Sequence, residues 1–256
     1  MARLLIEQIP VLRDNYVYLL HDPDSGATAV VDPAVAEPVL ERLAAHQWVL
    51  THILNTHHHD DHVGGNLALK RATGARVVGA RKDAQRIPGL DAEVADGESF
   101  LVGTAAAMVM EVPGHTHAHI AYWFPESHAL FCGDTLFAMG CGRLFEGSAE
   151  QMWTSLQKIR QLPDDTGIYC AHEYTQSNAR FARTVERGNA ALLARITEID
   201  GRRARGLPTV PSPLALERQT NPFLRADIDS VKAAVGLPGG DPALVFAEIR
   251  RRKDAF

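Results

Sequence analysis

The chain has 256 residues, of which 46% are hydrophobic and 22% are charged, and this composition predicts a compact globular protein with a sizeable core. The net charge of -5 argues against broad nucleic-acid binding, and no apolar run is long enough to cross a membrane. The three cysteines, Cys132, Cys141 and Cys170, have no C-x-x-C spacing, and the N-terminal sequence lacks the layout of a signal peptide. We therefore expect free thiols in a reducing compartment, which indicates a cytoplasmic protein.

Short strand patterns alternate with helix patterns over the first two thirds of the chain, which is typical of a mixed α/β domain. Helices are predicted at EPVLERLAAH, at NLALKRATGA with Gly74 at its end, and at AEQMWTSLQKIRQL. Ser148, followed three residues later by Gln151, forms a capping box that starts the last of these helices. Strands are predicted, in chain order, at YVYLLHD, ATAVVDP, VLTHILNT, RVVGA, AAAMVMEV, HIAYWF, ALFCG and GIYCAH.

The chain after His172 has a mainly helical pattern. Helices are predicted at NARFARTVE, at NAALLARITEID and at DPALVFAEIRRRKDAF, the last with Asp241 as N-cap and Pro242 at the first helical position. Between them, GLPTVPSPLALERQTNPFLR is rich in proline and polar residues, which predicts a long functional or connecting loop. We therefore predict two domains, residues 1–172 and a smaller helical domain of residues 173–256.

The segment HHHDDH places four histidines and two aspartates in six consecutive positions, and these polar groups must be solvated, paired or ligated. In an extended chain, residues two apart share a side, so His57 and His59 converge while His58 faces away. Asp61 and His62 follow where the chain turns, and they can reach a second, neighbouring point. The pattern therefore offers ligand pairs for two metal ions. Imidazole and carboxylate suit Zn²⁺, Mn²⁺ or Fe²⁺, and the absence of cysteine argues against a closed structural zinc site.

Three later strand patterns each end in a ligand-type residue, namely His115, Asp134 and His172. A single histidine after a strand is more often a hydrogen-bonded loop residue. Beside the histidine run, however, these three become candidate metal ligands, and a carboxylate at Asp134 can bridge two cations. His117 and His119 lie close enough in sequence to orient such ligands.

The stretches THHHDDH, VPGHTHAH, GDTLF and AHEYT resemble the metal motifs of the metallo-β-lactamase fold superfamily. RDNYVYLL, VVDPA, GCGRLFEG, NPFLR and the terminal RRRKDAF resemble the hydroxyacylglutathione hydrolase (glyoxalase II) family, so the resemblance covers nearly the whole chain. The superfamily motif alone is specific for fold and metal, and less so for substrate. The resemblance implies an α/β fold, a four-layer αββα sandwich of the metallo-β-lactamase type followed by a small helical domain that binds the glutathione thioester.

The resemblance also implies which residues form the site. The family's motif assigns His57, His59 and His115 to a first metal, Asp61, His62 and His172 to a second, and Asp134 to a bridge between them. The residues that match the family's glutathione contacts are Arg143, Phe145, Tyr174, Arg250 and Lys253. Some relatives have lysine and tyrosine at the first two of these positions, so this chain keeps the cation and loses a hydroxyl.

The implied activity is hydrolysis of S-(2-hydroxyacyl)glutathione, S-D-lactoylglutathione above all, to glutathione and a 2-hydroxy acid, D-lactate, the second step of methylglyoxal detoxification. Two divalent ions, zinc in the first place with iron or manganese as alternatives, would lower the pKa of a shared water toward ~7. The bridging hydroxide would attack the thioester carbonyl, while Asp61 and Asp134 hold it and offset part of the metal charge. Arg250 and Lys253 share a helix face, where they either bind glutathione carboxylates or complement the helix dipole. We expect a monomer that binds this small molecule and neither nucleic acid nor membranes.

Three other functions fit parts of the pattern. A mononuclear iron oxygenase of the same fold, acting on glutathione persulfide, needs two histidines and one carboxylate, but leaves the second ligand set and the helical domain without a role. A phosphodiesterase or nuclease also uses two metals, yet the acidic charge and the lack of an extended basic stripe speak against it. A structural metal module needs closed coordination, whereas seven ligands for two ions leave positions open.

Overall fold

The computed structural model describes residues 3–256. Internal contacts divide the chain into two compact units. Unit 1 comprises the chain up to Glu111 together with Ala118–Gly133, and unit 2 comprises Val112–His117 together with Asp134–Phe256. These divisions lie at other positions than the predicted domain boundary after residue 172, and that boundary stays a prediction.

Unit 1 is rich in strands, and every strand and helix predicted for its part of the chain is present. Its elements, in chain order, are β1 Leu5–Val11, β2 Asn15–His21, β3 Ala27–Val31, α1 Glu37–His46, β4 Val49–Leu54, α2 Asp60–Val63, α3 Asn66–Thr73, β5 Arg76–Ala80, β6 Ala92–Val94, β7 Ser99–Val102, β8 Ala105–Glu111, β9 Ile120–Phe124 and β10 Ala129–Gly133. Strands β1, β6 and β7 and the one-turn helix α2 have no counterpart in the sequence predictions. Gly74 ends α3 in a left-handed conformation, as predicted.

The strands of unit 1 form two groups. The first is a six-stranded sheet in the order β1 to β6, in which β1, β2 and β3 are antiparallel neighbours and β3, β4, β5 and β6 are parallel neighbours. Helix α1 connects β3 to β4, and α2 with α3 connects β4 to β5, as parallel pairing requires. In the second group, β7, β8, β9 and β10 pair in antiparallel succession.

Strand β2 shows how unit 1 is layered, because almost all of it is buried. Val17 and Leu19 belong to the same core cluster as Val39 of α1, so helices cover this face of the first sheet. Tyr18 points to the opposite face, where its ring meets Phe131 of β10 edge-on, with the ring centroids 5.4 Å apart. Burial on both faces explains why β2 reads as a continuous apolar run, and each large side chain contributes about 1.5–3 kcal/mol.

Unit 2 consists mainly of helices. Its elements, in chain order, are β11 Leu136–Phe137, β12 Gly140–Cys141, α4 Ala149–Arg160, β13 Gly167–Cys170, α5 Thr175–Val185, α6 Ala190–Ala204, β14 Ser212–Pro213, α7 Leu214–Thr220, α8 Asp229–Ala234 and α9 Pro242–Asp254. The predicted capping box is confirmed, since Ser148 Oγ accepts from the Gln151 N–H at 3.1 Å and the Gln151 side chain accepts from the Ser148 N–H at 2.9 Å. Asp241 caps α9 through the Ala243 N–H, as predicted.

The prediction of one long loop over residues 206–225 is wrong for Leu214–Thr220, which form α7. The helix contributes Glu217, which is fully buried, and its carboxylate forms an ion pair with the buried Arg195 of α6. Ser212 Oγ donates a further hydrogen bond to Glu217 at 2.5 Å. A buried charge is tolerated when it is paired and hydrogen-bonded in this way. The partner that fixes α7 is remote in sequence, and the local proline-rich pattern does not reveal it.

Residues Glu217 and Asn221, in α7 and directly after it, contact the short hairpin of β11 and β12. Met139, at the tip of the hairpin, has a left-handed backbone with φ 59°, and its N–H donates to Glu217 at 2.9 Å. The Asn221 amide donates to the carbonyls of Phe137 at 3.2 Å and Gly140 at 3.0 Å. The side chains of Glu217, in α7, and Asn221, just beyond it, therefore fix the strained turn of a hairpin that begins two residues after Asp134.

The three cysteines are free and buried, which confirms the prediction of free thiols. Burial raises the pKa of Cys141 to about 11 and that of Cys170 to about 12, so both thiols are protonated near neutral pH. Among residues 3–256, no helix has the length and apolar character needed to span a bilayer.

Candidate metal centre

The donors of unit 1 begin where the parallel strands β3 and β4 end, which is the usual place for a site in a parallel sheet. His57 follows β4 closely and is fully buried. His59 keeps an extended backbone and immediately precedes α2. His57 Nε2 lies 3.0 Å from His59 Nδ1, so the two imidazoles converge as their spacing predicts.

Helix α2 brings Asp61 and His62 together, with His62 Nε2 3.6 Å from Asp61 Oδ2. The amide of Asn15 donates to the same Asp61 oxygen at 3.0 Å and holds the carboxylate in place. His62 Nδ1 lies 3.1 Å from Asp32 Oδ2. Because a carboxylate only accepts, this contact places a proton on Nδ1 and leaves Nε2 of the neutral imidazole as the donor atom for a metal.

Asp32 is a candidate residue of the metal site that the sequence analysis did not identify. It follows β3 directly, and its carboxylate accepts from the Thr56 N–H at 2.8 Å and the Thr56 hydroxyl at 2.7 Å. Donor atoms of Asp32, His57 and His62 lie within 4.8 Å of one another. The available signal was an acidic residue at the end of a buried strand, in VVDPA, next to the strand that delivers His57.

His58 turns away from this group, as predicted, and its Nδ1 lies 3.0 Å from a carboxylate oxygen of the buried Asp83. The ring of His119 stacks on His57 with the centroids 4.6 Å apart and an interplanar angle of 22°. That contact fits the predicted orienting role of His119. His117 is exposed, and its N–H donates to the Glu146 carboxylate at 2.7 Å.

The donors of unit 2 meet at one carboxylate. His115 Nε2 lies 3.4 Å from Asp134 Oδ2, and His172 Nε2 lies 3.3 Å from Asp134 Oδ1. One imidazole therefore lies beside each oxygen of Asp134, and the bridging role of this carboxylate stays a prediction. His115 Nδ1 donates to the carbonyl of Arg143 at 2.8 Å, so the proton sits on Nδ1 and Nε2 faces Asp134.

The donor spacing fits metal coordination. Two ligands of a tetrahedral zinc ion, each 2.0–2.2 Å from the metal, lie roughly 3.3–3.6 Å apart. The pairs His115–Asp134 and His172–Asp134 are separated by 3.4 and 3.3 Å. In unit 1 the His62–Asp61 separation of 3.6 Å lies in this range, and the His57–His59 separation of 3.0 Å is slightly shorter. A set of imidazole nitrogens and carboxylate oxygens without thiolate suits zinc, iron or manganese, so the residues present fit divalent ions.

Gly142 allows the close approach of two segments that carry these donors. A Cβ atom at this position would lie 2.0 Å from the carbonyl oxygen of Asp134 and 3.1 Å from Nδ1 of His115. Both neighbours are rigid, since one is backbone and the other is a hydrogen-bonded ring. A larger residue at position 142 would therefore displace the donors themselves.

A cavity of about 660 Å³ in unit 2 contains two of these donors, His115 and Asp134. All five residues predicted to contact glutathione line the same cavity: Arg143, Phe145, Tyr174, Arg250 and Lys253. Sequence reasoning missed Arg180, Ser177 and Asp254, which line it as well. The sequence places Arg180 on a predicted helix, but helical spacing alone does not tell which face of α5 borders a cavity.

The cavity has an excess of positive charge around Lys253. Burial, as the largest cause, together with the guanidinium groups of Arg250, Arg180 and Arg143, lowers the pKa of Lys253 to about 8. Lys253 Nζ donates to the carbonyl and the hydroxyl of Ser177 at 3.3 and 3.2 Å, and both acceptors are neutral. Four cationic side chains thus share one cavity of a protein whose net charge is -5.

Two aromatic rings border the donors. The ring of Tyr174 stacks on His172 with the centroids 4.7 Å apart and the planes 1° from parallel. The Phe145 side chain is 63% exposed, and its ring centroid lies 5.1 Å from that of His115. Phe145 therefore offers an open apolar surface beside a metal-type donor, and Tyr174 offers a hydroxyl.

Residues 11–172 match the family model described as the metallo-beta-lactamase superfamily, and residues 173–256 match the model described as the hydroxyacylglutathione hydrolase C-terminus. A hydroxyacylglutathione hydrolase of Methylococcus capsulatus is 63% identical over 253 residues, which are 99% of each chain. The chain belongs to the hydroxyacylglutathione hydrolase family. Another member, from Rhodospirillum rubrum, is 56% identical over the full length of both chains. The predicted family is thereby confirmed.

A solved structure supports the fold of this hydroxyacylglutathione hydrolase family member. The chain is similar to the BLEG-1 B3 metallo-beta-lactamase with a TM-score of 0.67 and 23% identity, over 86% of this chain and 99% of the other. At that identity the likeness concerns the fold alone. The predicted α/β fold of the metallo-β-lactamase type, with a helical region at the C-terminus, is confirmed.

Proposed function

We propose that the protein hydrolyses S-(2-hydroxyacyl)glutathione, S-D-lactoylglutathione above all, to glutathione and a 2-hydroxy acid, D-lactate. This reaction is the second step of methylglyoxal detoxification. Full-length relatives named hydroxyacylglutathione hydrolase support the reaction class. The observation that carries the proposal for this chain is a single cavity in unit 2 that combines metal-type donors with four cationic side chains.

We further propose two divalent ions, zinc in the first place with iron or manganese as alternatives. The ligands are those that the family's motif implies: His57, His59 and His115 for one ion, Asp61, His62 and His172 for the other, and Asp134 between them. The donor separations inside each unit support this assignment. When bound, such ions supply Lewis acidity and lower the pKa of coordinated water toward ~7.

The chain's own residues prepare the donors for this role. Asp32 holds the His62 ring and the Arg143 carbonyl holds the His115 ring, both through Nδ1, so Nε2 of each ring is oriented toward the other donors of its own unit. Asp61 and Asp134 are the candidate catalytic carboxylates, because they offset part of the cationic charge and offer oxygens that accept hydrogen bonds from a water nucleophile.

Substrate binding follows from charge complementarity. Glutathione carries two carboxylates and an ammonium group, and Arg143, Arg250 and Lys253 present cations to the cavity. Phe145 gives an apolar surface beside His115, and the Tyr174 hydroxyl is a further hydrogen-bonding group. The leaving group is a thiolate, whose conjugate acid has a pKa near ~8.5, so the departing sulfur needs no strong general acid.

The deciding experiment is thiol release from S-D-lactoylglutathione by the purified, metal-loaded protein, before and after treatment with a chelator. We expect rapid release that chelation abolishes and added zinc restores. Oxygen consumption with glutathione persulfide is measured on the same sample. If thiol is not released and oxygen is consumed instead, the hydrolase assignment fails and the iron oxygenase replaces it.

The proposal also includes a cytoplasmic monomer. Three free, buried thiols are compatible with a reducing compartment. Light scattering of the metal-loaded protein tests the oligomeric state, and fractionation of the producing cells tests the compartment.

A further inference from the structure

Arg180 is the cation of the cavity whose role the family's motif leaves open. It lies on α5, is exposed and lines the cavity. Within residues 3–256 the Arg180 guanidinium forms no hydrogen bond and no ion pair. Its positive charge repels the ammonium group of Lys253. A guanidinium group has five N–H donors in a planar fork, and all of them are available to a ligand here.

Arg250 provides the contrast, because its donors are already engaged. Its side chain is only 6% exposed, its Nη2 forms an ion pair with Asp254 at 2.8 Å, and its Nη1 donates to the Cys141 carbonyl at 2.9 Å. The guanidinium also lies over the ring of Phe223, 5.1 Å from the centroid. Arg250 is thus built into the wall of the cavity, where it supports β12.

Like charges around Lys253 indicate that an anion completes this cavity. Arg143, Arg180 and Arg250 all repel the Lys253 ammonium, and the acidic side chains that line the cavity are those of Asp134 and Asp254. Asp254 is engaged with Arg250, and Asp134 lies at the metal donors. Three guanidinium groups therefore act on Lys253 against the single carboxylate of Asp254, and the cavity keeps an excess of positive charge.

We infer that Arg180 is a substrate-binding residue that holds one of the two carboxylates of the glutathione moiety in a forked contact, next to Lys253. The inference rests on the proposed function and deepens it, because it makes the cavity selective for thiol carriers with two carboxylates. A fork fixes the orientation of a carboxylate as well as attracting its charge. Arg180 thereby determines specificity at a distance from the reacting carbonyl.

The test is calorimetric titration of the metal-loaded protein with S-methylglutathione, a thioether that is not hydrolysed. We expect Arg180→Gln to weaken binding about 5- to 10-fold, the size expected of a charge-assisted contact at a partly exposed site. Arg183→Gln is the matched control, because it removes the same charge from the same helix at an exposed residue that does not line the cavity. Its affinity should stay within roughly a factor of two of the wild type.

Two truncated ligands identify the carboxylate. The C-terminal amide of S-methyl-γ-glutamylcysteine lacks the glycine carboxylate without exposing another, and N-acetyl-S-methylcysteinylglycine lacks the γ-glutamyl carboxylate and ammonium. The effect of Arg180→Gln should persist with one of them and disappear with the other. Equal affinity losses for Arg180→Gln and Arg183→Gln would overturn the inference, and so would the same loss with all three ligands or no binding of S-methylglutathione to the wild type.

Turnover of S-D-lactoylglutathione, measured in parallel, separates this inference from the proposed function. If ligand binding depends on Arg180 but S-D-lactoylglutathione is not hydrolysed, the inference is retained and the proposed hydrolase activity is rejected. If S-D-lactoylglutathione is hydrolysed but ligand binding does not depend on Arg180, the proposed hydrolase activity is retained and the inference is rejected. Circular dichroism of both variants confirms that the compared proteins are folded.

Discussion

The affinity for glutathione ligands should fall as the pH rises through 8, because Lys253 loses its charge there. Burial, together with the neighbouring guanidinium groups, lowers the pKa of this ammonium from 10.5 to about 8. The cation is therefore present below pH 8 and is lost above it. At pH 7 about 90% of Lys253 is protonated and at pH 9 about 10%, so binding that requires the cation weakens roughly tenfold between these values. Arginine at the same position stays charged throughout.

The assay is titration with S-methylglutathione at several pH values, for the wild type and for Lys253→Arg. The ammonium of the ligand titrates equally in both experiments, so the difference between the two proteins isolates Lys253. We expect the dissociation constant of the wild type to rise between pH 7 and 9 more steeply than that of the variant. Parallel profiles for the two proteins would refute the reasoning, since they would mean that Lys253 either stays protonated or does not contact the ligand.

Three further predictions concern other parts of unit 2. Asp134→Ala should abolish hydrolysis, because it removes the carboxylate that lies between His115 and His172. Elemental analysis of this variant should find less bound metal. A variant that keeps its full metal content and the wild-type rate would contradict the bridging role. Phe145→Tyr adds the hydroxyl that some relatives carry at this position, and if it reaches the ligand, KM in steady-state kinetics should fall by about 2- to 10-fold. The free energy of unfolding should not change, because the Phe145 ring is exposed. Arg195→Met should lower the free energy of unfolding by roughly 3–5 kcal/mol in urea denaturation, because it leaves Glu217 buried and uncompensated. The double replacement Arg195→Met with Glu217→Met should recover much of that loss, and an equal or larger loss would contradict the explanation.

The elements set by local chemistry were predictable from the sequence. The capping box of Ser148 and Gln151, the left-handed Gly74 and the Asp241 cap each depend on residues within one helical turn. The convergence of His57 and His59 was equally predictable, because an extended chain places residues two apart on the same side. In these cases the sequence neighbours are also the partners in space.

What the sequence did not reveal depends on contacts between remote segments. Helix α7 was mistaken for loop because the partner of Glu217 is Arg195, on a different helix. Asp32 was missed because its role depends on the parallel pairing that sets β3 beside β4, and so brings it to Thr56. Arg180 was missed because its free guanidinium is recognisable only once its neighbours in the cavity are known. Pattern reasoning has no access to such pairings before the sheet order and helix packing are given.

The hairpin of β11 and β12 has a consequence for synthesis of the protein on the ribosome. Its turn depends on Glu217 for the Met139 N–H and on Asn221 for two carbonyls, so it lacks these partners until translation has passed Asn221. Because the hairpin starts two residues after Asp134, a nascent chain that has already exposed the histidine run cannot yet hold this carboxylate in its final position. If Asp134 bridges two ions as proposed, stable metal capture belongs to the nearly complete chain, and ribosome-bound fragments that end before residue 217 should release metal readily to a chelator.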